Sequence, residues 1–344
     1  MDKGEWEKKP ISDDDSITRQ QLKEQIQTYA KKITLAREEV KKIMKGQDEL
    51  VLSIFRGFIG GGNILLEGLP GLGKTVLCRT FAQISNLNFK RVQFTTDLLP
   101  SDIIGIQTYD KVRGFEFQKG PVFSNLFLGD EINRAPPKVQ SALLEAMGEK
   151  QVTLGKKTHT LEDPFMVMAT QNPIEQSGTF PLPEAQMERF MFKINVGYPD
   201  YDSELQIIDN NLSSKSFDEF KVKNILSKYE VLIIQKLRRR IHAETRIKNY
   251  ILDIVSATRK PREYGIKYAD MVTMGASPRA SIAIILGAKS QALMNGRDYV
   301  IPSDVKDVIY EALRHRLYLN FKAKMQSVST DDIISEILDK TKVY

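Results

Sequence analysis

The chain has 344 residues, 41% hydrophobic and 27% charged, which excludes wholesale disorder or a fibrous class and suits two domains better than one. Lys plus Arg number 50 against 44 Asp plus Glu, a mild excess spread along the chain that permits nucleic-acid binding without arguing for it. One cysteine excludes an internal disulfide framework, and neither a membrane-spanning apolar run nor a signal peptide is visible, so the cytoplasm is the expected location.

Residues 1–36 read as a polar N-terminal arm, frayed or helical, carrying the acidic run Asp13, Asp14, Asp15. From about Arg37 a helical pattern runs to Phe58, interrupted at Gly46 and ended by Gly60, Gly61 and Gly62. Ile64, Leu65 and Leu66 then read as a buried strand, and similar runs follow at 89–94, 126–128, 165–169 and 190–196. Helix-length segments such as 75–85 and 138–147 separate them. That alternation predicts an α/β domain built on a parallel sheet covered on both faces. Residues 106–110 with 114–118 read as one hairpin, around Phe115 and Phe117. Residues 151–154 with 157–161 read as another, joined by a Gly155-Lys156 turn. After Pro199 the strand signals stop and helical patterns take over. Ser277-Pro278 opens one helix that ends before Gly296, and Ser303 caps another running toward Arg316. The expected organisation is an arm over 1–36, an α/β core with two inserted hairpins over 37–201, and a helical domain over 202–344.

The chemistry concentrates in four places. Gly68-Leu69-Pro70-Gly71-Leu72-Gly73-Lys74-Thr75 matches the P-loop pattern between a strand and a helix. Glycines there let backbone N–H groups converge on phosphate oxygens, and the helix N-terminus adds partial positive charge. Lys74 is placed to reach the β- and γ-phosphates of a nucleotide, and the Thr75 hydroxyl to hold Mg²⁺. Asp130 and Glu131 end a buried strand, where ligands of parallel sheets sit. Asp130 suits the Mg²⁺ shell and Glu131 suits a general base for an attacking water. For either acid alone an N-cap to the following helix is the lesser alternative, and the P-loop in the same domain decides against it. Asn172 follows a further strand; alone, Asn-Pro is a turn, but beside the acid-bearing strand its amide can hold the water or the γ-phosphate. Arg189 and Arg279 each begin or end an element, and spacing alone does not separate them from solvated charges. Cys78 reads as a core residue. His159, His242 and His315 show no metal-ligand spacing. Lys236-Leu237-Arg238-Arg239-Arg240 is the best basic candidate for contact with nucleic acid, and a solvated helix face is the preferred reading.

Together these strings resemble the AAA+ ATPases, and within them the MoxR family. The resemblance is carried by Gly68 to Thr75, by Gly129-Asp130-Glu131-Ile132-Asn133-Arg134-Ala135-Pro136-Pro137 continuing to Met147, by Ala169 to Pro173, by Pro183 to Phe190 and by Gly275 to Arg279. It covers about residues 37–320, with Gly129 standing where the family usually has alanine. It implies a P-loop α/β core with a C-terminal all-α lid, and ATP with Mg²⁺ as ligands. It implies that Gln47, beside Gly46, packs near the adenine, and that Pro70, Gly71, Leu72 and Val76 belong to the nucleotide-binding set with Gly68, Gly73, Lys74, Thr75 and Asp130. Glu131, Asn172, Arg189 and Arg279 would form the catalytic set: Asn172 as the polar sensor, Arg189 as an arginine finger given to a neighbouring subunit, and Arg279 as the lid arginine that senses the γ-phosphate. It further implies a homo-oligomeric ring, a hexamer, with the hairpins near its pore. The implied partners are client or adaptor proteins, including those with a von Willebrand factor A domain, and metal or cofactor insertion is among the family's tasks. The alternative reading is a ring ATPase acting on nucleic acid, which the modest charge disfavours.

Overall fold

The computed structural model describes residues 18–111, 114–154, 157–173, 178–212 and 217–343. Thr18 opens α1 (Arg19–Lys41) through a capping box with Gln21. Ile26, Ala30, Ile33, Ala36 and Val40 recur at helical spacing and are buried. They pack α1 against α2 (Asp48–Gly60) and α3 (Lys74–Ile84), so the boundary expected between residues 36 and 37 falls inside one continuous helix. Gly61, at φ 65°, ends α2 by donating its N–H to the carbonyls of Gly57 and Phe58.

The α/β part contains the strands β1 (Asn63–Gly68), β2 (Phe89–Gln93), β3 (Gly105–Asp110), β4 (Gly114–Lys119), β5 (Leu126–Asp130), β6 (Gln151–Leu154), β7 (Lys157–Thr160), β8 (Met166–Gln171) and β9 (Phe190–Val196). Between them lie α4 (Pro100–Ile104), α5 (Pro137–Glu149) and α6 (Glu184–Met187). A parallel sheet is ordered β2-β5-β8-β1-β9. Alternate residues feed two cores. Ile64, Leu66, Leu128 and Met168 face one, while Leu65, Phe127 and Val167 face the other together with Val139 and Leu143 of α5. β2 departs from the buried strand expected there: it is the sheet's edge, flanked only by β5, and Lys90, Arg91 and Gln93 are exposed.

β3 with β4 and β6 with β7 form the two antiparallel hairpins. The Gly155-Lys156 turn and the side chain of Phe115 lie outside the described residues. The hairpins meet through Phe117, whose ring stacks on His159 at 4.2 Å and stands edge-on to Phe123 at 5.4 Å.

The helical part comprises α7 (Tyr201–Leu212), α8 (Lys228–Arg240), α9 (Thr245–Arg259), α10 (Pro278–Met294), α11 (Pro302–Leu313), α12 (Phe321–Met325) and α13 (Thr330–Lys340). It also holds a short antiparallel ribbon of β10 (Val272–Met274) and β11 (Tyr318–Leu319). Ser277 caps α10, accepting the Arg279 N–H at 3.2 Å. Ser303 does not cap α11. Pro302 takes the first helical position, and the Asp304 carboxylate accepts the Ile301 N–H at 2.8 Å instead. α10 runs so close to the sheet that a Cβ on Gly287 would lie 2.6 Å from the Phe192 ring. The larger core accordingly continues from Ile64 and Phe192 into Ile284 and Val308. Among the described residues no helix is long and apolar enough to cross a membrane.

Candidate functional site

The carboxyl ends of β1, β5 and β8 lie side by side, and the loops leaving them build one cavity of about 370 Å³. Its floor is the glycine string between β1 and α3. Gly71 and Gly73 take φ values of 85° and 75°, in the left-handed region that favours glycine. A Cβ on Gly68 would lie 2.6 Å from the Val196 carbonyl oxygen, so a side chain there would push β9 off β1. Lys74 is buried, and its Nζ donates to the carbonyl oxygens of Gly68 and, at 3.0 Å, of Leu69. Burial pushes its ammonium pKa down, against the pull of Asp130 and Glu131.

The acid pair is held by a network that sequence reasoning missed. Asp130 Oδ1 accepts from Thr170 Oγ1 at 2.6 Å, and Oδ2 accepts from Thr75 Oγ1 at 3.3 Å and from Arg91 Nη2 at 2.7 Å. Thr170 Oγ1 also accepts the Glu131 N–H at 2.8 Å, so one hydroxyl from β8 grips both acids. Glu131 sits at φ 58°, a conformation that costs a non-glycine residue about 1–2 kcal/mol and turns its carboxylate toward the cavity. There Oε2 accepts from Gln93 Nε2 at 2.9 Å and from Arg134 Nη1 at 3.2 Å. Asn172 is buried at the end of β8 and lines the same cavity. Arg91 and Gln93 were legible in principle as polar residues at alternate positions at the carboxyl end of a strand. Gly129 leaves room for Phe94, because a Cβ there would come within 3.0 Å of that ring.

A second cavity of about 510 Å³ adjoins the first across Pro70–Gly73 and Val76. Its walls are largely apolar: Ile43 and Met44 before Gly46, Tyr198 and Pro199 after β9, and Ile207 of α7. Gln47 lines it and carries a buried Oε1 with no hydrogen-bond partner. α7 reaches this wall because Gly46 has no side chain: a Cβ there would lie 2.0 Å from Ser203 Oγ.

The two arginines are elsewhere. Phe190 pairs with Asn63 at the start of β1, whereas Val196 pairs with Gly68 at its end. Arg189 therefore stands at the opposite end of the sheet from this chain's own glycine string, roughly 15–20 Å away along the strands. It lines a shallow cavity of about 180 Å³ with Arg279, Glu188 and Arg316. Its Nη1 donates to the Leu144 carbonyl. Arg316 is 1% exposed and braces this corner, donating to Glu188 Oε2 at 3.1 Å and to the carbonyls of Phe190 at 2.7 Å and Met191 at 3.1 Å. Ser277 Oγ donates to the same Glu188 oxygen at 2.8 Å, which ties the start of α10 to the start of β9. Arg316→Met is expected to cost about 3–5 kcal/mol in a urea melt, because it removes the buried cation paired with the Glu188 carboxylate; an unchanged midpoint would show that the brace is idle.

Residues 63–192 match the ATPase family associated with various cellular activities (AAA), and residues 268–337 match the AAA lid domain. Chaperone MoxR1 of Mycobacterium tuberculosis is 47% identical over 302 residues, which span 87% of this chain and 79% of that protein. Uncharacterized protein YeaC of Bacillus subtilis is 41% identical, over 89% of this chain and 93% of its own length. Protein MoxR of Methylorubrum extorquens is 29% identical, over 82% and 86%. A crystal structure of a Cytophaga hutchinsonii protein superposes with a TM-score of 0.88 at 46% identity, covering 94% of this chain and 98% of that one.

Proposed function

The chain belongs to the MoxR family of AAA+ ATPases, and on that premise we propose that it spends ATP as a ring-shaped chaperone that remodels or activates partner protein complexes. One observation carries the reading: the glycine string, Lys74 and the acid residues share one cavity, while the two arginines line a separate shallow one at the other end of the same sheet. A head-to-tail contact brings that second end to the next subunit's nucleotide, and such contacts close into rings; six subunits is the count we propose.

The base and ribose of ATP occupy the apolar cavity against Gln47, Leu72 and Val76, with the triphosphate along the Gly68–Thr75 amides. Thr75 Oγ1 and Asp130 Oδ2 are hard oxygen donors 3.3 Å apart, which fits Mg²⁺, an ion that takes few protein ligands and keeps several waters. Bound there, Mg²⁺ supplies charge neutralisation on the phosphates. Glu131 takes the proton of the attacking water, and Asn172 orients the water or the γ-phosphate. Arg189 and Arg279 belong to the neighbour's site, where they stabilise charge on the transferring phosphoryl group. The hairpins, locked together through Phe117 and His159, are the surface we assign to the client, including adaptors with a von Willebrand factor A domain and clients receiving a metal or cofactor. The buried Cys78 thiol suits a reducing, cytoplasmic setting.

Calorimetry with Lys74→Ala tests the premise of the site. ATP binding is expected to disappear, because the variant removes the cation buried within the cradle; an unchanged affinity would take Lys74 out of the binding set.

A further inference from the structure

The end of α8 departs from the solvated face that its basic run predicts. Arg238 is 6% exposed, and its Nε is enclosed without a hydrogen-bond partner. Among the described residues the Arg238 side chain forms no ion pair or hydrogen bond. Its neighbours are cations. Lys289 of α10 donates from Nζ to the Arg239 carbonyl at 3.3 Å, and Lys248 of α9 is near enough to act on Lys289. Burial and Arg239 lower the Arg238 pKa to about 10, burial with Arg238 and Lys248 lowers that of Lys289, and no carboxylate of the described residues acts on either.

The same fold satisfies its other buried arginines. Arg316 has Glu188 and backbone carbonyls, and Arg56 has Gln291 at 2.7 Å and Glu311 at 3.7 Å. Arg238 is the exception. Desolvating an uncompensated cation is unfavourable, and a counter-charge from outside these residues would relieve it. We propose that Arg238, with Arg239, Lys248 and Lys289 around it, forms an oxyanion site between α8, α9 and α10 that takes a phosphate or carboxylate group. The guanidinium fork matches either in bidentate geometry, and the lysines add charge without competing acceptors.

Two sources offer that chemistry. One is free phosphate, the product that an ATPase releases. The other is the chain's own Asp13-Asp14-Asp15, which lies outside the described residues. Only Ser16 and Ile17 separate this run from Thr18, the cap of α1. Arg19 Nε pairs with Asp298 Oδ2 at 3.2 Å, and the Asp298 carbonyl accepts the His242 N–H at 2.9 Å, just beyond the end of α8. The start of α1 is thus beside the end of α8.

The test uses the full chain with its ATP site filled by a non-hydrolysable ATP analogue, so that the P-loop cannot answer for the new site. Inorganic phosphate replaces chloride at constant ionic strength while the unfolding midpoint and the ³¹P line width are followed. With free phosphate as the occupant, the midpoint is expected to rise by roughly 2–4 °C at about ten times Kd, and Arg238→Met or Lys289→Met abolishes the rise. With the acidic run as the occupant, the wild type stays flat and the Asp13→Asn, Asp14→Asn, Asp15→Asn triple variant acquires the phosphate response, again lost with either Met substitution. No response in either background, or one that survives both Met substitutions, overturns the proposal.

Discussion

Arg189→Ala is expected to lower ATP turnover by about 10³–10⁵-fold while leaving ATP binding near that of the wild type. The size follows from the charge that one well-placed guanidinium neutralises as the phosphoryl group transfers. The retained binding follows from geometry, since Phe190 pairs with Asn63 and Arg189 is a strand's length from its own glycine string. In the ring proposed above, a residue so placed is assigned to the next subunit's site. Mixing Arg189→Ala with Lys74→Ala subunits is therefore expected to restore part of the activity: at some interfaces an intact cradle meets an intact arginine. Mixed rings that form and remain inactive at every ratio would refute action across the interface.

Glu131→Gln is expected to bind ATP normally and hydrolyse it at least about a hundredfold more slowly. The amide keeps the side chain's size and can still meet Gln93 and Arg134, so the cavity keeps its shape. It cannot take the proton of the attacking water. Single-turnover kinetics separate the two effects, and near-normal hydrolysis with intact binding would remove Glu131 from the chemistry. The same variant holds the ATP state long enough for partner capture, the experiment that bears most directly on the client.

The parts of this molecule legible in its sequence are those where local chemistry leaves few choices. Ile64–Leu66 and the strands at Leu126 and Met166 are apolar on both faces because the sheet is covered on both. The glycines at 68, 71 and 73 announce a backbone that side chains would block. α1 was harder to place, because Ile26, Ala30 and Ile33 are diluted by lysines and glutamates on the solvent side, and the helix read as an arm. β2 was misjudged because an edge strand and a buried one share a similar apolar count; pairing decides which it is. Arg316 left no trace. It lies far along the chain from Glu188, and a buried arginine is visible only once the elements that surround it have met. Arg238 is the converse case, a charge that sequence pattern assigns to solvent and tertiary packing encloses.

The Thr170 hydroxyl has one hydrogen, which goes to Asp130, and it receives the Glu131 amide. Valine would preserve its outline and remove one hydrogen bond from each acid at once, and serine would keep both links while giving up a buried methyl. One hydroxyl thus couples the placement of Asp130 to that of Glu131, so a substitution at Thr170 shifts the two acids together.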